Sequence, residues 1–86
     1  MEIEYTLRAQ EDIAHWKKSG NVKIQKKIFE LLLSIQNSPT LGIGKPEALK
    51  HDLSGLWSRR INREHRLIYQ IKDSIIYVIS LRGHYN

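Results

Sequence analysis

The period of the apolar residues changes halfway along the chain, and that change limits the folds open to it. Ile24, Ile28, Leu31, Leu32 and Ile35 fall at i, i+4, i+7, i+8 and i+11, one stripe along a helix, with Lys23, Lys26, Lys27 and Glu30 away from it. From residue 56 onward the period is two, and β-branched and aromatic residues dominate the last stretch, as in the centre of a sheet. A helical stripe and an alternating sheet each have an apolar side that must be covered, and the economical arrangement is one on the other. The expected class is α+β: two N-terminal antiparallel helices packed on a twisted antiparallel sheet.

Local signals supply the boundaries. Residues 2–7 alternate like a short strand, and Thr6 is placed to cap a helix carrying Ala9, Ile13 and Trp16. Gly20-Asn21 breaks that helix, and Asn37-Ser38-Pro39 ends the next. So short a link implies an antiparallel helical hairpin. Residues 39–55 read as a loop rich in glycine and proline, long enough in so small a domain to suggest a function. Three strands follow: 56–61 and 65–71, joined by Asn62-Arg63-Glu64, and 74–81 after a turn at Asp73.

Register assigns the faces. Pairing Ile61 with His65 sets Arg60 opposite Arg66, and pairing Ile71 with Ile75 sets Arg66 opposite Ser80. Arg60, Arg66, Ser80, Arg82 and His84 then share one face. Leu67, Tyr69, Ile71, Ile75, Tyr77, Ile79 and Leu81 share the other. The apolar face takes the helices; the basic face can take a polyanion. A one-residue slip in the second hairpin would turn Arg82 and His84 into the apolar face, which disfavours it.

The 86 residues fit one domain spanning residues 1–86. With 41% hydrophobic and 27% charged residues the chain is globular rather than disordered. It has no cysteine for disulfides or cysteine–metal sites. The first residues lack the pattern of a signal peptide, and no apolar run approaches the roughly 20 residues that cross a bilayer, so a cytoplasmic protein is expected. The net charge is +5, of which +1 belongs to residues 1–43 and +4 to residues 44–86. A basic second half fits a phosphate-rich partner, an acidic protein, or a surface kept charged for solubility, and charge alone does not choose.

Cleaving RNA without a metal needs a base for the 2′-OH, cations for the phosphate and an acid for the departing 5′ oxygen. Carboxylate, arginine and histidine suit these roles. Glu47, Arg66 and His84 offer them from three segments. Taken singly each has a plainer reading: a solvated loop charge, an ion pair with Glu64, an exposed histidine. His65 falls on the apolar face and reads as a satisfied core histidine; His51 fits a phosphate contact or open solvent equally. The four histidines lack the close spacing of a zinc motif. Trp57 is expected to pack between sheet and loop, and Tyr85 to be free for stacking on RNA.

The run from Gly44 to Ile61, with Lys45-Pro46-Glu47 and Leu53-Ser54-Gly55-Leu56-Trp57-Ser58-Arg59-Arg60 at its heart, resembles the central segment of RelE/YoeB-type toxins. Glu64-His65-Arg66-Leu67-Ile68-Tyr69 and Arg82-Gly83-His84-Tyr85 extend the resemblance over nearly the whole chain; residues 1–43 match more loosely. It implies the toxin of a type II toxin–antitoxin module, with a RelE-like fold and metal-independent cleavage of mRNA in the ribosomal A site, without a cofactor. By position, Glu47 is implied as general base, His84 as general acid, Arg66 as phosphate stabiliser and Tyr85 as the group orienting the substrate. Lys45, Lys50, His51, Arg59, Arg60 and Arg82 are expected to contact RNA or the ribosome. The implied partners are the ribosome with its mRNA and an acidic antitoxin, through which alone DNA would be bound; toxin dimers also occur in the family.

One departure from the pattern is Asn86, which follows the tyrosine that commonly ends such chains. Its removal is expected to leave cleavage near the parental level. Two other classes stay open at this point: a toxin of the same fold that inhibits DNA gyrase, and a non-catalytic RNA- or ribosome-binding module, since fold does not decide function.

Overall fold

The computed structural model describes residues 1–84; Tyr85, expected to orient substrate, and Asn86 lie outside the described residues. Strand β1 (Glu2–Tyr5) leads into helix α1 (Leu7–Ser19) at Thr6, whose hydroxyl oxygen accepts from the Ala9 N–H. Such a cap contributes about 1 kcal/mol. Gly20, in the left-handed region at φ +71°, closes α1, and Asn21 caps helix α2 (Val22–Asn37) by accepting from the Ile24 N–H. Both boundaries fall where the sequence places them. Ile24, Ile28, Leu31 and Ile35 are buried and Leu32 half-buried, so the stripe of α2 is its inward side.

The sheet comprises β1, β2 (Glu47–Ala48), β3 (Leu56–Arg60), β4 (Arg66–Lys72) and β5 (Ile75–Ser80), in the order β1-β5-β4-β3-β2. β1 runs parallel to β5 and the other pairs are antiparallel, so the sheet is mixed rather than wholly antiparallel. The parallel pairing follows from the helical hairpin, which returns the chain across one face before β5 is made. Residues 39–55 are also more ordered than a loop: they contain the edge strand β2 and one turn of 3₁₀ helix at His51–Leu53.

The first hairpin has the expected register, Arg60 opposite Arg66. The second does not. Asp73 and Ser74 both adopt positive φ, 52° and 64°, and make a two-residue turn that pairs Lys72 with Ile75 and Ile71 with Ile76. Ile76 and Val78 therefore face the helices and are buried, whereas Ile75, Tyr77 and Ile79 are only half-buried. The phase is then restored by a bulge. Tyr69 pairs with Val78 and Ile68 with Ser80, so Ile79 has no partner and Ser80 lies opposite Ile68 rather than Arg66. Leu81 returns to the core and Arg82 is exposed, so the slip that would have buried Arg82 is corrected before reaching it.

The core lies between this face and the helices: Ala9, Trp16, Ile24, Ile28, Leu31 and Ile35 from the helices meet Ile61, Leu67, Tyr69, Ile76, Val78 and Leu81. Trp57 is half-buried against that cluster. Among the described residues no helix is long and apolar enough to cross a membrane.

Candidate active site

The side of the sheet away from the helices carries an open cleft of about 240 Å³ lined by Lys45, Glu47, Leu49, Ser58, Arg60, Arg66 and His84. Strand pairing explains the grouping. Glu47 lies opposite Ser58, Arg60 lies two residues further along β3, and Arg66 lies opposite Arg60. Alternation puts all four side chains on one face. Had residues 39–55 been irregular, nothing would fix the direction of Glu47; the two-residue edge strand does so.

The Arg66 guanidinium is anchored in the β3–β4 turn. Nη1 donates to the carbonyls of Asn62 (2.8 Å), His65 (3.2 Å) and Arg63 (3.3 Å), and Nη2 contacts His84 Nε2 at 3.2 Å. With arginine the donor, Nε2 is the unprotonated nitrogen of that ring. Desolvation, then the nearby Arg60 charge, pull Arg66 below the usual arginine value, and Glu47 opposes them. Arg66 remains a cation.

The segment bearing His84 is fastened by helix α1. Asp12 is buried; its carboxylate receives Arg8 Nε on both oxygens at 3.1 Å and the Leu81 N–H at 2.9 Å. Trp16 Nε1 donates to the Leu81 carbonyl (2.9 Å) and Arg8 Nη2 to the Arg82 carbonyl (3.0 Å). Sequence reasoning missed Arg8 and Asp12. The available signal was a carboxylate three residues after Ala9 and four before Trp16, on the inner side of α1. His65 is half-buried and makes a defined hydrogen bond, Gly83 N–H to Nδ1 at 3.0 Å, which fits a satisfied histidine.

Of the residues expected to touch RNA, the structure brings Lys45 and Arg60 into the cleft with Glu47, Arg66 and His84. Lys50, His51 and Arg82 are exposed but outside its lining. Arg59 is a correction. It lies opposite Leu67 on the helix side of β3 and is fully buried. Nε donates to the Tyr69 hydroxyl (3.1 Å), Nη1 to Ser34 Oγ (2.7 Å) and the Ile43 carbonyl (3.1 Å), and Nη2 to the carbonyls of Ser38 (2.7 Å) and Leu41 (3.0 Å). A guanidinium has five N–H donors, and these bonds use them all, so none is left for a phosphate. Arg59 ties the 38–43 loop to the sheet.

The chain matches the model for the YoeB-like toxin of bacterial type II toxin–antitoxin systems over residues 5–85. It is similar to toxin YoeB of Streptomyces coelicolor, 45% identical over 99% of this chain and 100% of the relative. Among solved structures it resembles a YoeB/ParE toxin from Agrobacterium tumefaciens, with TM-score 0.93, 38% identity, and coverage of 99% of this chain and 100% of that one. It also resembles YoeB from Staphylococcus aureus, solved as a dimer (TM-score 0.88) and in a heterotetrameric complex with the antitoxin YefM (TM-score 0.87), each at 44% identity over 99% of this chain and 98% of that one. Such identity over full length, with the two-helix, five-strand architecture, places this chain in the family of YoeB-like toxins of type II toxin–antitoxin systems.

Proposed function

We propose that this toxin is an endoribonuclease that cuts messenger RNA in the ribosomal A site. The observation that carries the reading is the meeting of Glu47, Arg66 and His84, from three separate segments, in one basic cleft. Glu47 takes the proton from a ribose 2′-OH. The 2′ oxygen bonds to the adjacent phosphorus, the bond from phosphorus to the 5′ oxygen breaks, and His84 gives a proton to that leaving oxygen. The products are a 2′,3′-cyclic phosphate and a free 5′-OH. Arg66, with Lys45 and Arg60 beside it, stabilises the charge that builds on the phosphate. An entering phosphate competes with His84 Nε2 for Arg66 and frees the imidazole to carry its proton. Tyr85 has its proposed place beside the substrate, and Lys50, His51 and Arg82 are proposed to meet RNA outside the cleft.

The proposed setting is the cytoplasm, with an acidic antitoxin as partner. The S. aureus relative, solved with YefM and as a dimer, supports an antitoxin and allows self-association. A surplus of positive charge in residues 44–86 suits an acidic segment laid over the cleft.

The test is cleavage of end-labelled mRNA by the purified protein, with and without programmed ribosomes. Cuts within the A-site codon that require the ribosome are expected. Glu47→Gln and His84→Gln should each slow them by at least about 100-fold, the scale of a lost acid or base, while ribosome binding persists. An undiminished block of translation by His84→Gln would remove the catalytic assignment in favour of simple ribosome binding, whereas no cuts under either condition with translation unaffected would favour a gyrase-type target or plain RNA binding.

A further inference from the structure

Gly83 is the residue from which His84 projects, and it is held from both sides. Its carbonyl accepts from the Arg66 N–H at 2.9 Å, and its own N–H donates to His65 Nδ1 at 3.0 Å. Its φ of +100° is one that L side chains rarely adopt, so the direction in which the chain leaves it is unusual as well as fixed. A ring nitrogen that accepts a hydrogen bond carries no proton, so His65 is a neutral imidazole protonated on Nε2. The ring is itself located: it stands edge-on to Trp16, centroids 4.8 Å apart at 77°, and Trp16 is bonded to the Leu81 carbonyl. His65 does not line the cleft.

We infer that His65 is a positioning residue for His84, acting through the Gly83 N–H. The inference rests on the reading of His84 as the general acid. Its requirement is narrow: an acceptor where Nδ1 now lies. Asparagine can offer its carbonyl oxygen close to that point. Leucine fills similar space but accepts nothing, and leaves the Gly83 N–H without its partner.

The experiment is single-turnover cleavage on programmed ribosomes by the parental protein, His65→Asn, His65→Leu and His84→Gln, with folding checked by thermal melting. His65→Leu should slow cleavage by about 10–100-fold with ribosome affinity unchanged, the scale of a catalytic group displaced by a lost supporting bond. His65→Asn should stay within about threefold of the parent, since a surrogate acceptor restores the bond. Nitrogen NMR of the parental protein should find the His65 proton on Nε2 and a coupling across the hydrogen bond from Gly83 N to His65 Nδ1. A proton on Nδ1 overturns the inference even if the leucine variant does not fold. Parental cleavage by His65→Leu beside an inert His84→Gln overturns it and leaves the acid reading standing. Equal slowing of both His65 variants also overturns it, since the loss then follows ring packing. Parental cleavage by His84→Gln removes the acid reading and the inference with it.

Discussion

Arg59 and Arg60 are adjacent, identical in chemistry and opposite in fate, because successive side chains on a strand leave by opposite faces. Arg60 reaches the cleft; Arg59 ends in the core with every donor used. The signal was present in the sequence: once Arg60 is set opposite Arg66, Arg59 must sit among the apolar side chains. A resemblance carried over by position passes over that distinction. Arg59→Met should cost about 3 kcal/mol or more, since it leaves several buried acceptors without a donor, and lower the melting temperature by roughly 12 °C or more. Arg60→Ala should melt within a few degrees of the parent and lose cleavage instead. Beside Arg59, burial raises the Tyr69 hydroxyl above its usual value near 10, and the Arg59 hydrogen bond and charge only partly offset this. A raised value means that this contribution to stability is fully present below pH 10 and is lost as pH climbs through the folded-state value. Alkaline denaturation followed by tyrosinate absorbance should therefore begin above pH 10, with one tyrosine ionising late, and Tyr69→Phe should lack that late step.

At the scale of elements, the helices do more than cover the sheet. α1 presents Arg8, Asp12 and Trp16, one turn apart, to the backbone of residues 81–82, so the element that buries the core also sets where His84 begins. Asp12→Ala strands the buried Leu81 N–H and releases Arg8 Nε from its carboxylate partner. It should reduce stability by about 2–3 kcal/mol, the cost of losing a charged acceptor for a buried donor, and slow cleavage further than that loss of folded protein explains. Thermal melts run beside single-turnover rates separate the two effects. The helix ends were legible because Thr6, Gly20 and Asn21 act locally. The shared face of Arg60 and Arg66 was legible because the first hairpin has an unambiguous register; Glu47 and His84 came from residue type and the resemblance. The register of β5 was not: Ile75, Ile76, Tyr77, Val78 and Ile79 are all apolar, so either alternate set serves as a core face, and the choice rests on positive φ at Asp73 and Ser74. β2 was hidden for another reason, because two residues at a sheet edge are too few to show a period.

For the whole molecule, the division of labour is between two faces of one sheet. The helices and most apolar side chains occupy one, and Lys45, Glu47, Arg60, Arg66 and His84 gather on the other, where Arg60 and Arg66 stand on strands that also form the core, Glu47 on the edge strand and His84 just beyond β5. Most of the proposed grip on RNA should be electrostatic. Ribosome binding should therefore weaken steeply as salt rises from about 50 to about 200 mM, and Lys45→Ala or Arg60→Ala should each reduce the log–log salt slope by about one phosphate contact. A slope unchanged by both substitutions would place the binding cations elsewhere on the surface.

Ile79, whose carbonyl accepts from Thr6 Oγ1 at 2.8 Å but which has no partner on β4, gives the last strand one residue more than β4 uses. In genetic terms, loss of one codon between the hairpin tip and residue 79 should leave the register in which Ser80, Leu81 and Gly83 meet β4 unchanged. Without Ile79, Ser80 still meets Ile68; without Tyr77, Ile79 moves inward where Val78 stood, one aliphatic group for another. β4 pairs without interruption along β3 and holds no such reserve, so the loss of one codon there turns half the sheet over.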